Sequence, residues 1–350
     1  MASLCCSAPP SGYRLDSTRT GARATPARCQ RARRRAVVVS CQATGKPTRL
    51  PGNVEGSFWV DDTCIDCDTC RWMAPDTFTR REGQSAVTAQ PDSEVARTAA
   101  ARALSSCPTF SIHLDDARDG ELREINAGFP LPVDGCPGVF HTGFHSHASF
   151  AATPYIVTRD AGNVMVDVPR FNPGLASTIE RMGGLKYIFL THRDDVSDHA
   201  KWAERFPDAV RIIHKAEINR RQGTDKAERQ LDGEGPWQLD DAGDHQVLFV
   251  PGHTPGCLAL HYTPSSCLFT GDTLAWSPRA GRLSIFRDFN WHDVDMQLES
   301  VAALRELPVL ALLPGHGRRK TFVSDQEWKD SLQEMLEAEG YEPATNTASA

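Results

Sequence analysis

Between Thr191 and Gly317 the chain sets histidine and aspartate in four separate stretches, each where an apolar run gives way to a loop. The first is Thr191-His192-Arg193-Asp194-Asp195-Val196-Ser197-Asp198-His199, after the run Tyr187 to Leu190. The others are Pro251-Gly252-His253-Thr254-Pro255-Gly256, Phe269-Thr270-Gly271-Asp272-Thr273 and Leu313-Pro314-Gly315-His316-Gly317. Short apolar runs bounded by Gly or Pro read as buried strands ending in turns. A chain built this way must fold so that strands from distant segments end at one rim. Any one of these histidines, taken alone, reads as a hydrogen-bonded core or loop residue. Four loops delivering His and Asp in order are what a pair of divalent metals requires.

The surrounding pattern supplies the scaffold. Strands are expected at Ser149–Thr158, Val164–Val168, Tyr187–Thr191, Val210–His214, Val247–Pro251, Leu258–Tyr262, Cys267–Thr270 and Val309–Leu313. Helices are expected at Gly174–Met182, Asp198–Phe206, Asp293–Leu307 and Asp325–Glu339. Strand runs with helices between them argue for sheets covered by helices.

These four motifs, in this order and spacing, resemble the metallo-β-lactamase superfamily, and within it the glyoxalase II-like branch, over about residues 138–320. The resemblance implies an αβ/βα four-layer sandwich with the site along one edge. Carried over by position, it implies His192 and His253 on a first metal, Asp198, His199 and His316 on a second, and Asp272 bridging. Asp167 matches the family's structural acid beside the site. The usual His-x-His-x-Asp-His motif is altered here. Asp194 stands where the second histidine would be, and two extra residues precede Asp198-His199. Alternation along an extended segment favours Asp194 over its rival Asp195 for the first metal. A carboxylate in that place moves the preference from zinc toward iron or manganese. The flavodiiron proteins also carry a carboxylate there. The implied function is hydrolysis of a thioester, lactone or similar ester of a small-molecule substrate by a metal-bound hydroxide, with Asp198 and Asp272 as catalytic carboxylates. The alternative is a redox enzyme in which a cluster feeds electrons to a non-haem iron site acting on O2, NO or a sulfur species. A third possibility is a sensor or binding module. The remaining histidines, among them His113, His141, His214, His245, His261 and His292, are expected to be structural. His145 and His147 are expected nearest the mouth, and Arg287 and Trp291 are candidates for a pocket wall.

A second constellation lies upstream. Cys64, Cys67 and Cys70 are spaced by two residues each, and Cys107, followed by Pro108, supplies a distant fourth thiol. Three thiolates from one wrapping loop and one from elsewhere suit a cubane of iron and sulfide. A zinc knuckle would pair two separated Cys-x-x-Cys clips instead. Residues Val60–Phe78 resemble the single-cluster bacterial-type ferredoxins, which implies one [4Fe–4S] cluster and, with it, an electron-transfer partner. The whole is therefore expected to be an α+β ferredoxin-like small domain over 53–115, a linker over 116–136, and the metallo-β-lactamase-fold domain over 137–341, with a disordered tail over 342–350.

Residues 1–43 are of different composition. They hold eight arginines and a single acid, Asp16, with many Ser, Thr and Ala. An Arg-rich, Ser-rich, acid-poor leader is the mark of an organellar transit peptide, so residues 1–45 are expected to direct the protein to the chloroplast stroma, with the mitochondrion as runner-up. The net charge is −7 overall, and the rest of the chain is more acidic still, which argues against a nucleic-acid partner. No apolar run approaches the roughly 18–20 residues needed to span a bilayer. A fluorescent reporter fused behind residues 1–45 is expected to enter plastids; cytosolic or mitochondrial fluorescence would refute the assignment.

Overall fold

The computed structural model describes residues 46–342. The expected leader, 1–45, and nearly all of the expected tail, 342–350, lie outside the described residues.

The cysteine-bearing segment closes on itself. Strand β1 (Phe58–Val60) is followed by the cysteine loop, helix α1 (Thr69–Met73) and a hairpin, β2 (Phe78–Arg81) with β3 (Gln84–Val87). Glu82 and Gly83, both at positive φ, make the turn. Helix α2 (Glu94–Ser106) begins at Ser93, whose hydroxyl accepts from Ala96 N, and stops at Cys107. The following Pro108 disfavours a helical conformation there. Strand β4 (Ile112–Leu114) returns antiparallel to β1. The buried face of α2 is Ala100, Ala101 and Ala103, so the helix lies close against Phe58, Val60, Phe78 and Ile112 in one small core.

The expected linker is folded. Helix α3 (Glu121–Ala127) and strand β5 (Leu131–Pro132) occupy it. Strand β5 opens a seven-stranded sheet with β6 (Val139–His141), β7 (Tyr155–Val157), β8 (Val164–Val166), β9 (Tyr187–Phe189), β10 (Val210–His214) and β11 (Arg229–Leu231), ordered β11-β10-β9-β8-β7-β6-β5. Helices α4 (Pro173–Arg181) and α5 (His199–Arg205) interrupt it. A six-stranded sheet follows, with β12 (Trp237–Gln238), β13 (His245–Phe249), β14 (Leu258–Tyr262) and β15 (Cys267–Gly271). After the hairpin β16 (Ala275–Ser277) and β17 (Arg282–Ser284) and helix α6 (Val294–Ala303), it is completed by β18 (Ala311–Pro314) and β19 (Lys320–Thr321), and helix α7 (Asp325–Ala338) is the last element among the described residues.

Side-chain alternation explains the layering. Val164, Val166, Tyr187, Phe189 and Ile212 of the first sheet share a core with Leu258, Leu260, Phe269, Ala311 and Leu313 of the second. The intervening residues face outward. Met165, Ile188 and Ile213 meet Leu175, Ile179 and Trp202 of α4 and α5, and Ala259, Leu268 and Leu312 meet Leu298, Trp328 and Leu332 of α6 and α7. The result is the expected four-layer αβ/βα sandwich. Among the described residues no helix is long and apolar enough to cross a membrane.

The two modules are interlocked. Met73 and Ile125 pack against both the small core and the outer core of the first sheet. Asp68 in the cysteine loop accepts from Arg318 Nε at 2.6 Å and Nη2 at 3.0 Å. Arg170 donates to Cys107 O (3.0 Å), Ser105 O (2.5 Å) and His145 O (2.7 Å), while its guanidinium covers the Phe110 ring at 4.5 Å. Removing this arginine strands three covered carbonyls. Arg170→Ala is expected to cost about 3 kcal/mol in denaturant unfolding; a loss under about 0.5 kcal/mol, the level of an ordinary surface change, would refute the clamp.

Candidate metal centre

The four ligand loops meet at one rim. Strand β9 ends at Phe189, and Arg193–Asp195 form a 3-10 turn directly after His192. Asp272 follows β15, and His316 follows β18. Two overlapping groups result, His192–Asp194–His253 and His192–Asp195–Asp272, with ligand atoms in each within 4.8 Å of one another. Asp272 is central. Its Oδ2 lies 3.7 Å from His192 Nε2 and 3.6 Å from His253 Nε2. Its Oδ1 accepts from His316 Nδ1 at 2.7 Å. Gly315 leaves room for this crowding: a Cβ there would meet Asp195 Oδ2 at 2.8 Å and Asp272 Oδ1 at 3.1 Å.

Divalent cations fit the donor set. Among the described residues, His192 Nε2, both Asp195 oxygens and both His253 nitrogens are buried with no hydrogen-bond partner. Such atoms are costly alone, and one from each of these residues falls within the two groups. The charges tell the same story. Burial and the neighbouring Asp272 push Asp195 well above the usual carboxylate range, and the same two causes raise Asp194. Burial opposes the charging of His316, but Asp272 and Asp195 outweigh it and push the imidazole up to about 10. A cluster of carboxylates sharing protons in this way is one that cations would neutralise. His316 Nε2 donates to Phe150 O at 3.3 Å, the outer hydrogen bond by which a ligating histidine is oriented.

The expectations for the first motif are corrected at three residues. Asp194 and Asp195 both face the centre, because a tight 3-10 turn replaces the extended segment on which alternation was argued. Asp195, expected to turn aside, is the more buried of the two, with its side chain 1% exposed against 41% for Asp194. Asp198 and His199 are not brought to the centre. They open α5, where Asp198 accepts from Phe171 N at 2.8 Å and pairs with Lys201. His199 Nε2 donates to Gln222 O at 2.9 Å, and its Nδ1 faces Arg211. The inserted residues carry the chain past the rim before the helix begins, so Asp195 and not Asp198 lies beside Asp272 and His192.

Outer residues hold the ligand loops. Asp167, at φ 50°, accepts from Thr191 N (2.9 Å) and Thr191 Oγ1, which in turn lies 3.0 Å from His192 Nδ1. Burial raises Asp167 to about 6. Glu217, which no motif singled out, is fully buried. It accepts from Arg193 N (3.0 Å), Thr254 Oγ1 (2.9 Å) and Gly256 N (2.6 Å), tying the His192 and His253 loops together. Trp291 forms a shallow pocket with Arg193, Asp194, Thr254 and Pro255. Arg287 does not join it and pairs with Glu339. His145, expected near the mouth, is buried and faces the cysteine loop instead, while His147 is exposed.

Cys64, Cys67, Cys70 and Cys107 line a single pocket walled by Val60 and Ile112. Asp66 and Asp68 take left-handed conformations, φ 60° and 69°, tolerated by Asp, and Arg71 locks them by donating to both carboxylates. The loop thereby turns all three cysteines inward. Burial, together with the neighbouring thiols, pushes Cys67 up to about 11 although Thr69 opposes this, and raises Cys70 as well. Ser85 N points at Cys64 Sγ, 3.4 Å away. Four thiols facing one pocket, Cys70 and Cys107 buried and Cys64 and Cys67 half-buried, with a backbone N–H aimed at Cys64, fit an iron–sulfur cluster.

Comparison with known proteins agrees with both halves. Residues 60–114 match the family described as the 4Fe-4S single cluster domain of Ferredoxin I. The chain is 36% identical over 123 residues to a hydroxyacylglutathione hydrolase of Cereibacter sphaeroides (strain ATCC 17029 / ATH 2.4.9), covering 34% of this chain and 46% of the relative; it thus spans about half the length of the curated relatives it matches. Among solved structures, the DIM-1 metallo-β-lactamase is 16% identical, covering 59% of this chain and 96% of that one, with a TM-score of 0.43. TTHA1623 in a di-iron-bound form is 24% identical, covering 55% and 94%, with a TM-score of 0.38.

Metal analysis separates the rival ligands. Asp195→Ala and Asp194→Ala are each expected to lose bound divalent metal, and His199→Ala to retain it. Weakening by more than the roughly 10–100-fold of an outer-residue change marks a ligand. Full metal retention in Asp195→Ala would reverse its assignment.

Proposed function

We propose that this chain is a metal-dependent hydrolase that cleaves a thioester, lactone or similar ester of a small-molecule substrate. The observation that carries the reading is the convergence of His192, Asp194, Asp195, His253, Asp272 and His316 at one rim, with buried donor atoms left unpaired. The local match to hydroxyacylglutathione hydrolases supports a thioester as the first substrate class to try. Two bound divalent ions supply Lewis acidity at the carbonyl oxygen and lower the pKa of water from about 15.7 toward about 7.

The chain's own residues do the rest. Asp272, between the histidines, keeps His316 oriented through Oδ1 and offers Oδ2 to the His192 and His253 side. Asp194 is the carboxylate of the group that meets solvent, so it is placed to accept a hydrogen from the attacking water. Glu217 occupies the Arg193 guanidinium, so the pocket beside Asp194 presents Trp291, Thr254 and Pro255 to the acyl group rather than a free cation. The leader's composition supports action in the chloroplast stroma, and a possible electron-transfer partner is implied by the cluster module.

The test is a panel of thioesters, lactones and simple esters given to anaerobically purified protein loaded with zinc, iron or manganese. At least one is expected to be hydrolysed, with activity lost on chelation and lowered about 100-fold or more by Asp272→Ala. Failure of every loaded form across the panel, or hydrolysis indifferent to chelation and to Asp272→Ala, would exclude the reading.

A further inference from the structure

The cysteine pocket and the metal centre are joined by polar contacts on either side of one covalent step through Ala151. Cys67 Sγ lies 3.5 Å from Thr69 Oγ1. Thr69 Oγ1 lies 3.2 Å from His145 Nδ1, which is 2.8 Å from Ala151 O. One peptide back, Phe150 O is 3.3 Å from His316 Nε2, whose ring partner Nδ1 meets Asp272. The direction of each bond follows from its chemistry. A carbonyl only accepts, so His145 carries its proton on Nδ1 and accepts at Nε2 from His141 Nε2, 2.8 Å away. Thr69 then accepts from His145, and where Cys67 holds a cluster as a thiolate the Thr69 hydroxyl donates to its sulfur. His316 gives Nε2–H to Phe150 O, which leaves Nδ1 for the centre.

Packing alone does not call for this arrangement. Burial, then their mutual repulsion and nearby arginines, keeps His141 well below its ordinary value; burial and Arg170 bring His145 to about 3. The His141–His145 pair therefore stays neutral, and this stretch transmits no proton charge. Arg170 grips the carbonyls of His145 and Cys107 together, which fixes the relay against the pocket's fourth cysteine. Asp68, between Cys67 and Cys70, grips Arg318, two residues beyond His316. Three carboxylates among the ligands suit iron or manganese better than an all-nitrogen set does.

We propose that Thr69, His145 and the Phe150–Ala151 peptide carry single electrons from the cluster held by Cys64, Cys67, Cys70 and Cys107 to an iron ion at the His316 side of the metal centre. One electron leaves the reduced cluster, which returns to its oxidised level, and one ferric ion becomes ferrous. No bond forms or breaks, and no proton crosses the relay. A low-potential one-electron carrier refills the cluster. The inference does not rest on hydrolysis, since a zinc-loaded centre would hydrolyse yet accept no electron.

The experiment mixes anaerobic protein, loaded with cluster and with ferric iron at the centre, with reduced methyl viologen, and follows it by freeze-quench EPR and Mössbauer spectroscopy. Ferrous iron is expected at the centre as the cluster reduces and reoxidises. Thr69→Val keeps the side-chain shape and removes the hydroxyl. It is expected to slow the transfer roughly tenfold or more, the scale of an outer hydrogen bond to a metal ligand, and to move the cluster potential more negative, since a hydrogen bond to sulfur is lost. Thr69→Ser is expected to restore both. Wild-type rate and potential in a cluster-bearing Thr69→Val protein would overturn the proposal. So would equal reduction in protein lacking the cluster, or a centre that binds no iron. If Thr69→Val fails to fold, the wild type decides: the reduced cluster's EPR relaxation must quicken when iron replaces zinc at the centre, and unchanged relaxation overturns the assignment.

Discussion

Asp194, Asp195 and Asp272 come together with His192, His253 and His316 at a largely buried rim where only Asp194 and His316 meet water, and this crowding is the constraint around which the molecule is built. In such a place carboxylates either take up protons or share cations. The raised proton affinities of Asp195 and His316, and the unpaired atoms of His192 and His253, are two faces of the same fact. Much of the neighbouring sequence follows from it. Gly315 must lack a side chain to admit two carboxylates. Asp167 must hold Thr191 so that Thr191 can hold His192. Glu217, itself fully buried, is satisfied by hydrogen bonds from both sides of the cleft.

The second constraint is the seam between modules. A cluster loop tied to a distant domain by a tether would leave the two centres independent. Here Asp68, Thr69, Trp72 and Cys107 all touch the sandwich. Trp72 lies between the His141 ring, 5.1 Å away, and the Arg319 guanidinium, 4.5 Å from its centroid. Breaking the cluster loop would therefore disturb the rim as well, contrary to the separation that a linker over 116–136 implied. Helix α3, packed against both α2 and α4, joins the two modules.

Most of the scaffold was legible because its signals are local. Val210–His214 and Leu258–Tyr262 are observed with the bounds that their apolar runs indicated, and α4 and α7 differ only at their ends. The short edge strands β5, β12 and β19, two residues each, carry no period to read. In the centre, His253, Asp272 and His316 were legible because each lies within four residues of a strand end. The first motif was not, since its geometry turns on whether residues 193–195 are extended or coiled into a 3-10 turn, and two inserted residues do not announce which. Glu217 and Thr69 carry no motif at all. Their roles come from hydrogen bonds to segments far away in the chain, which only the fold brings near.

The geometry brings Asp195 together with Asp194, and not Asp198 with His199, to the place where a metal would be held. The most direct measurement is anomalous diffraction, at the iron and zinc edges, from crystals of anaerobically purified protein. Metal density is expected among His192, Asp194, Asp195, His253, Asp272 and His316, and separate iron density among Cys64, Cys67, Cys70 and Cys107. Metal bound by Asp198 and His199, with Asp195 turned away from it, would contradict the account.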